Sequence, residues 1–291
     1  YLIDDASNQS RIIGGFGVDV NFPSKGQATL FGNITNTTLT PRIAYHFVPK
    51  TAQGSLPIFD TTDKFDSLLT YETLFSGQRY SGLDRVANAN DITIGLESDY
   101  LDPASGDSLL NVKVAQSFYI SDQVVSNTAG MDYEARKHFS DIAASVDLAL
   151  NELSFSGAIQ FDPSTTSINN RKTSLSYKTN SRNFISLAHA NNNINETIEL
   201  SGAYPINASI HVFGGLKRSL TTGVTEKETS GFAYESCCWA VRVAHFKETV
   251  NGVYDNSTNL ELVFKGLGSS SSDMQLRLEK NIPYYRADLT Q

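Results

Sequence analysis

Two adjacent cysteines, Cys237 and Cys238, are the residues whose chemistry is most distinctive in this sequence. Neighbouring Cα atoms lie about 3.8 Å apart, below the usual disulfide span of about 4.4–6.8 Å, so a bond between the two would be strained. On a strand they would also point to opposite faces. Each thiol is therefore better placed to pair with a cysteine elsewhere, although the sequence holds no third one. The alternative is that both are small buried apolar residues in a strand.

The five histidines are scattered and indicate no catalytic or metal centre. No nucleophile elbow, His-Glu-x-x-His segment or glycine-rich phosphate loop accompanies them. His211 and Ser209 are interpreted as a polar pair on one strand face, lining an interior. We therefore predict that the chain is not an enzyme and uses no metal or cofactor. The histidines are His46, His138, His189, His211 and His245.

Charge and composition narrow the class of protein. The chain has 291 residues, with 31 acidic against 23 basic side chains and a net charge of −8. This balance argues against nucleic-acid binding, which needs a face rich in Lys and Arg. The longest apolar run, the five residues from Cys237 to Val241, is too short for a transmembrane helix. The chain begins at Tyr1 without Met or a signal peptide, which is typical of a processed form or a fragment.

Alternation of apolar and polar residues with period two predicts the elements that carry these residues. Phe16, Val18, Val20 and Phe22 fall on one face of a strand, and the pattern recurs in roughly 13 segments. Many run to about 9–12 residues, long enough when tilted to cross the apolar band of an outer-membrane barrel. The polar faces carry charges in mid-strand, as a wetted lumen permits: Glu97, Lys113, Asp141, Asp147 and Glu261. The pattern favours an all-β, antiparallel transmembrane barrel over a soluble β protein.

The predicted connections alternate between short and long, as in bacterial outer-membrane barrels with short periplasmic turns and long external loops. Short turns are predicted at 102–107, 151–152, 180–182 and 204–207, and longer loops at 121–137, 162–171, 191–195 and 219–228. One departure is the segment 23–36, which is long where a short turn is expected. By this alternation Cys237 and Cys238 lie on the periplasmic side, an oxidising compartment that favours disulfides.

The longest predicted loop is the insert from 49 to 86, on the external side by the same alternation. Phe65, Leu68, Leu69 and Phe75 predict the only short helix within it. Inserts of this length are usually functional lids or plugs. We therefore expect an extracellular or lumen loop.

Motifs spread along the whole chain resemble a known family. They are Leu-Thr-Pro-Arg at 39–42, Leu-Pro-Ile-Phe-Asp at 56–60, Ser-Gly-Leu-Asp-Arg at 81–85, Leu-Asp-Pro at 101–103, Tyr-Glu-Ser-Cys-Cys-Trp at 234–239, Phe-Lys-Gly-Leu-Gly-Ser at 264–269 and Ile-Pro-Tyr at 282–284. In this order and spacing they resemble the C-terminal portion of the lipopolysaccharide-assembly family LptD, also called OstA or Imp. The candidate site residues within these motifs are Pro41, Arg42, Pro57, Asp60, Gly82, Asp84, Arg85, Trp239, Gly266 and Gly268. Asp84 and Arg85 are interpreted as an ion pair that orders the loop.

The resemblance implies a barrel of about 26 strands in the outer membrane of a Gram-negative bacterium, of which residues 1–291 supply about half. A missing N-terminal portion would carry a periplasmic domain, the first strands and the cysteines that pair with Cys237 and Cys238. The implied partners are a plug lipoprotein resembling LptE, a periplasmic lipopolysaccharide bridge resembling LptA, and lipopolysaccharide itself. The implied function is assembly of lipopolysaccharide into the outer leaflet, through a polar lumen and lateral opening of the barrel.

Two other functions fit the alternation without the motifs. A general porin or substrate-specific uptake barrel is the alternative within the same fold, and single-channel conductance would separate it from an assembly protein. A soluble β adhesin is the third reading, and it would purify without detergent.

Overall fold

The period-two segments fold into long antiparallel strands. The structure is a computed structural model that describes residues 11–54, 56–59, 68–82, 84–125, 132–135, 138–192, 194–250, 253–265, 268–269 and 272–285. Its strands are β1 (Phe16–Asn21), β2 (Ser24–Leu30), β3 (Asn33–Val48), β4 (Ala89–Leu101), β5 (Ser108–Tyr119), β6 (Gln123–Val125), β7 (Asp132–Ala135), β8 (Ile142–Leu150), β9 (Leu153–Asp162), β10 (Ser167–Asn180), β11 (Asn183–Asn192), β12 (Glu196–Pro205), β13 (Ile210–Ser219), β14 (Thr225–Glu235), β15 (Trp239–Val250), β16 (Val253–Phe264) and β17 (Gly268–Ser269). The helices in the described ranges are α1 (Tyr71–Phe75) and α2 (Ser272–Asn281).

Fifteen strands form one sheet in the order β1-β3-β4-β5-β8-β9-β10-β11-β12-β13-β14-β15-β16-β17, with β2 also pairing with β3. Strands β6 and β7 form a separate hairpin. The all-β, antiparallel prediction is confirmed. The sheet holds more strands than the roughly 13 predicted, because β2 was interpreted as part of a loop and β17 is only two residues long. Neither helix of the described ranges has both the length and the apolar character needed to cross a membrane.

The segment 23–36 is a hairpin, so the prediction of a long connection there is wrong. Strand β1 pairs Asn21 with Arg42, and β2 pairs Ser24 with Leu39, so both strands follow β3 in one register. The hydrogen-bond ladder with β3 is interrupted between β1 and β2. The Phe22 amide donates to the Pro41 carbonyl at 2.9 Å, but Pro41 has no N–H with which to donate a bond in return. The true turn is Phe31–Gly32, with φ of 50° and 84°. Positive φ at both central residues is the geometry of a type I′ turn.

The alternation of short and long connections holds only in the N-terminal part of the described chain. The tight turns at 151–152 and 181–182 and the long connections 49–88 and 120–141 are as predicted. The loops expected at 162–171 and 219–228 are shorter, because β10 begins at Ser167 and β14 at Thr225. Tight turns therefore occur at both ends of the C-terminal strands.

The chain divides into two compact units, residues 1–147 with 158–171 and residues 148–157 with 172–291. In the first unit, α1 packs on one face of the strands in a cluster made of Ala44, Leu69, Tyr71, Leu74, Phe75, Ala115 and Ala143. In the second unit, α2 and the residues after it pack on one face in a larger cluster made of Phe184, Ala203, Phe213, Ala233, Ala240, Ala244, Phe246, Val263, Met274, Leu278, Ile282 and Tyr285. We call the face that bears a helix the helix face of each unit.

The opposite face, which we call the apolar face, carries large apolar side chains that remain exposed. In the first unit Ile94 is 50% exposed, and in the second unit Ile185 is 57% and Leu260 is 67% exposed. Phe16, Val18, Val20 and Phe22 share this face, as predicted, and all are exposed. The large apolar residues of this face therefore do not close into a dry core with one another. In water such a surface would be unfavourable.

Candidate functional site

The helix face of the first unit is a floor of small residues on which α1 lies. Thr70 caps the helix, because its Oγ1 accepts a bond from the Thr73 amide at 3.1 Å. A Cβ atom at Gly95 would come within 2.6 Å of the Phe75 ring and 2.7 Å of the Tyr71 ring. The small residues of this floor therefore leave room for the two aromatic rings of α1. The predicted helix in this loop is confirmed in part: it spans Tyr71–Phe75, while Phe65 lies outside the described residues.

Arg42 joins the edge strand to this helix. Its Nε donates to Asp19 Oδ1 at 2.9 Å, and the two side chains form an ion pair between β3 and β1. The guanidinium also lies 4.2 Å from the centre of the Phe75 ring and 5.8 Å from that of Tyr71, which is cation–π distance. Pro41 is the neighbouring residue on the apolar face. The predicted motif thus holds a helix rather than a ligand.

Charged groups lie along the other side of α1. Lys113 Nζ is 2.6 Å from Glu72 Oε1 and 3.5 Å from Glu97 Oε1. Burial alone would raise the pKa of Glu72, but the hydrogen bond and charge of Lys113, together with hydrogen bonds from the Glu72 backbone and Thr70, lower that pKa overall. A cavity of 120 Å³ opens between α1 and β8, with Asp147 and Ser145 on its wall. This cavity is lined by both polar and apolar side chains and is too small for more than a few water molecules.

Asp84 and Arg85 order the loop around Pro57. Asp84 Oδ2 accepts from the Phe59 amide at 2.6 Å, and Arg85 donates to the Leu56 carbonyl at 2.8 Å. Both side chains bond to backbone groups of the loop, so they order it through these bonds rather than through the ion pair expected between them. Gly82 has φ of 74°, which only glycine adopts without strain. Asp60 and Gly266, two further candidate residues, lie outside the described residues.

The helix face of the second unit is a second small-residue floor. A Cβ atom at Gly215 would lie 2.8 Å from the Asn281 carbonyl oxygen and 3.3 Å from the Ile282 side chain. Ala233, Ala240 and Ala244 lie under Met274, Leu278, Ile282 and Tyr285 in one buried cluster. The sequence analysis did not predict this helix, although Met274, Leu278 and Ile282 recur every four residues. Such spacing marks one face of a helix.

A buried ion pair lies beneath α2. Arg242 on β15 and Glu261 on β16 face each other in register, with nitrogen and oxygen 3.1 Å apart and side chains only 1% and 2% exposed. Tyr285 covers the pair, its ring centre 6.0 Å from the guanidinium. The expectation that Glu261 faces a wetted lumen is therefore wrong. Asp141 is also buried, where it accepts bonds from Gln160 and Asn169 at 2.8 Å each.

Cys237 and Cys238 lie in the turn 236–238, which we call the cysteine turn, between β14 and β15. Both are exposed and neither forms a disulfide in the structure. The reading as buried apolar residues in a strand is wrong, and so is the placement on opposite faces of a strand, because their sulfur atoms are 2.9 Å apart. Hydrogen bonds from Cys238 and Ser236, together with the charge of Lys265, lower the pKa of the Cys237 thiol, whereas the contact with Cys237 raises that of Cys238.

Aromatic residues flank the cysteine turn on the apolar face. Trp239 opens β15, pairs with Phe264 and lies with its ring centre 5.1 Å from that of Tyr234. Trp239 and Phe264 are both exposed. Such clusters are typical of the level at which a barrel passes from lipid to water. Gly268 lies nearby as the first residue of β17, paired with Phe264.

Glu235, which sequence reasoning missed, lies at the centre of a charged cluster beside the cysteine turn. Arg182 is 3.0 Å and Lys265 is 3.6 Å from its carboxylate. His211 is 3.8 Å from the same group and is almost fully buried, with its Nε2 bonded to the Tyr285 hydroxyl at 2.9 Å. His211 therefore does not line an open interior with Ser209 as expected. In the sequence, Glu235 is visible only as a single acidic residue at the end of a strand, which does not indicate this cluster.

The structure brings the candidate residues together in three groups. Arg42 lies at α1, with Pro41 beside it on the apolar face. Pro57, Gly82, Asp84 and Arg85 lie in the loop that precedes β4, and the cysteines and Trp239 lie at the cysteine turn. Among the described residues no group of three or more His, Cys, Asp or Glu side chains is placed to hold a metal ion. A wide recess of 650 Å³ lies away from all three groups, over Gly202 and Gly214.

Known proteins resemble this chain over most of its length. The LPS-assembly protein LptD of Nitrosococcus oceani is 27% identical over 293 residues, covering 98% of this chain and 39% of that protein. The LptD protein of Xanthomonas euvesicatoria is 32% identical over 285 residues, covering 90% of this chain and 34% of that protein. The one from Shewanella frigidimarina is 30% identical over 287 residues, covering 90% and 36%. The chain thus spans between a third and two fifths of the length of these relatives.

Solved structures resemble it distantly. A mutant of the Rh. blastica porin superposes with a TM-score of 0.36 at 13% identity, covering 86% of this chain and 90% of that one. The family model described as LptD: LPS transport system D matches residues 3–210. That match covers more than half of the chain. The chain belongs to the LptD family.

Proposed function

We propose that this chain is part of the wall of an outer-membrane β-barrel that assembles lipopolysaccharide into the outer leaflet of a Gram-negative bacterium. The observation that carries the proposal is the contrast between the two faces of the strands. One face exposes Ile, Leu, Val and Phe, as a surface in contact with acyl chains does, and the other is small, polar and partly covered by helices. Membership of the LptD family supports the same function.

The proposed role of the wall is transport without a chemical reaction. The transported molecule, lipopolysaccharide, joins a charged sugar head to several acyl tails. The head group moves along the helix faces, inside a barrel of about 26 strands. The tails leave sideways where the first and last strands meet, near β16 and β17 at this end of the chain. Around α1 on the helix face of the first unit, the acidic residues Asp19, Glu72, Glu97 and Asp147 outnumber the basic residues Arg42 and Lys113. Since the head group is anionic, an acidic wall discourages tight binding along the route.

The proposed partners follow from the same family. A plug lipoprotein resembling LptE occupies the interior, and a periplasmic bridge resembling LptA delivers lipopolysaccharide to an N-terminal domain that precedes this chain. The connection 49–88, which carries α1, acts as an external or internal lid. Cys237 and Cys238 form two disulfides with cysteines of that N-terminal domain. The relatives are named assembly proteins, which agrees with transport without chemical conversion.

The test is site-specific photo-crosslinking in the full-length protein within cells. A crosslinking residue at Asp147, which is exposed on the helix face of the first unit, is expected to capture lipopolysaccharide only while transport is running. The matched position is Ile94 on the apolar face of the same unit, which is expected to capture membrane lipid whether or not transport runs.

Transport-dependent capture at Asp147 and transport-independent capture at Ile94 support the proposal. Equal capture of lipopolysaccharide at both positions, or none at Asp147 in a transporting cell, overturns the assignment of the helix face as the route.

A further inference from the structure

The cysteine turn is held by a converging set of contacts around Glu235. Glu235 is the last residue of β14 and is only 7% exposed, although it adjoins an exposed turn. Arg182 comes from the turn between β10 and β11, and Lys265 follows β16. Both cations lie within 3.6 Å of the one carboxylate. Three separate connections of the second unit therefore meet at one acidic side chain.

Backbone bonds fix the same turn on both sides. The Glu235 amide donates to the Ser209 carbonyl at 2.7 Å, which joins the cysteine turn to the turn between β12 and β13. The Lys265 amide donates to the Cys238 carbonyl at 2.9 Å. Lys265 thus contacts the turn twice, once through its backbone and once through its ammonium group. The cysteine turn is exposed, yet these contacts restrict its motion.

Glu235 also connects the turn to the C-terminal segment on the helix face. His211 lies between them, with Nδ1 3.8 Å from Glu235 Oε1 and Nε2 2.9 Å from the Tyr285 hydroxyl. Tyr285 is 1% exposed and belongs to the buried cluster of α2. The seated segment therefore limits how far His211 and Glu235 can move.

We propose that Glu235 is a positioning residue for Cys237 and Cys238, which holds the cysteine turn so that both thiols are presented together to their partner cysteines. This rests on the proposed function, in which the two cysteines pair with two others outside the chain. Adjacent thiols on a loose turn would sample many directions, and only a small fraction would suit both partners at once. A held turn removes most of that entropy cost before the partner domain arrives.

The experiment uses the full-length protein in outer membranes and compares Glu235→Gln with Glu226→Gln. Glu226 lies at the opposite end of the same strand and holds Lys217 at 3.0 Å and Asn195 at 2.9 Å, so it matches the chemistry but not the location. The readouts are the fraction with both disulfides, from mobility on non-reducing gels, and the rate of maleimide labelling of the reduced thiols. Both are normalised to the amount of barrel that shows heat-modifiable migration.

Glu235→Gln is expected to lower the fraction with both disulfides about five-fold, the scale of one lost hydrogen bond of ordinary strength. Glu226→Gln is expected to leave it unchanged, and Glu235→Asp to restore part of it. If Glu235→Gln prevents folding, Arg182→Met provides the test, with a loss of about two-fold. Tyr285→Phe is expected to change the ratio of labelling at Cys237 to that at Cys238 without changing the amount of folded barrel.

Two failures are distinguishable. If folded Glu235→Gln protein forms both disulfides and labels like the parent, the positioning role is wrong while the proposed function stands. If the parent itself shows the same gel mobility as the double variant Cys237→Ser, Cys238→Ser, then the cysteines form no long-range disulfides and that part of the proposed function fails.

Discussion

The two helix faces solve one packing problem by different means. Each is a floor of Ala and Gly that receives an apolar segment, Gly95 under α1 and Gly215 under α2. Around α1 the charges remain partly wet, with Arg42 and Asp19 side chains 28% and 37% exposed. Under α2 the pair Arg242–Glu261 is dry, at 1% and 2%. The first segment is therefore held by contacts that are partly open to water, and the second by contacts that are shielded from it.

The largest expected difference lies between the two ion pairs. Glu261→Ala leaves Arg242 buried without its carboxylate, which costs about 3–5 kcal/mol. Asp19→Ala removes the partner of the exposed Arg42 and costs about 0–1 kcal/mol. Folded yield and urea resistance of the two variants in detergent measure both. Equal losses of stability would show that the two ion pairs lie in similar environments, which would contradict the difference proposed between the two helix faces.

A smaller difference is expected between the two glycines. Gly215→Ala places a Cβ against the backbone oxygen of Asn281, which cannot swing aside, so we expect a loss of about 1–3 kcal/mol. Gly95→Ala meets only the far edges of the Phe75 and Tyr71 rings, which can turn on their side chains. Protease resistance of residues 272–285 and of the connection 49–88 reports the two sites separately. A greater loss for Gly95→Ala would reverse the assignment of which segment is held more rigidly.

The smallest effect concerns pH at α1. The pKa of Glu72 is lowered in the folded protein, so its contact with Lys113 contributes stability above the unfolded pKa, and that contribution is lost as pH falls through the folded pKa. The labelling rate of a cysteine introduced at Thr73, taken relative to the same cysteine in the Lys113→Met variant, should therefore rise as the pH falls below the ordinary pKa of a Glu carboxyl. Lys113→Met removes this dependence as the matched control. A pH profile that is the same with and without Lys113 would mean that the pair does not hold α1.

The sequence predicted the long strands well, because their exposed apolar faces follow a simple period. Phe16, Val18, Val20 and Phe22 lie where the alternation puts them. Strand β2 was missed because Ser24–Leu30 is polar and mostly exposed, with no apolar alternation to find. Its register depends on β3 and on the Phe31–Gly32 turn, which a count of apolar residues does not detect.

The site was predicted less completely than the fold. The cysteines and the Arg42 and Arg85 motifs were found, because unusual residue types mark them. Glu235, Glu261 and Tyr285 acquire their roles only when β13–β16 and the C-terminal segment come together. A single acidic residue on a strand does not reveal whether it will face water or be covered by a helix that comes later in the chain, as α2 does.

The seated C-terminal segment has a consequence for the order of folding. Residues 272–285 pack on a surface built from β11–β16, so the alanine and glycine floor lacks its cover until that segment arrives. During that interval Arg242 and Glu261 stand open to solvent and His211 lacks its tyrosine. Packing of the segment at Gly215 then buries this part of the wall. A chain that ended before Ser272 would contain every strand of that floor and would still leave it exposed to solvent.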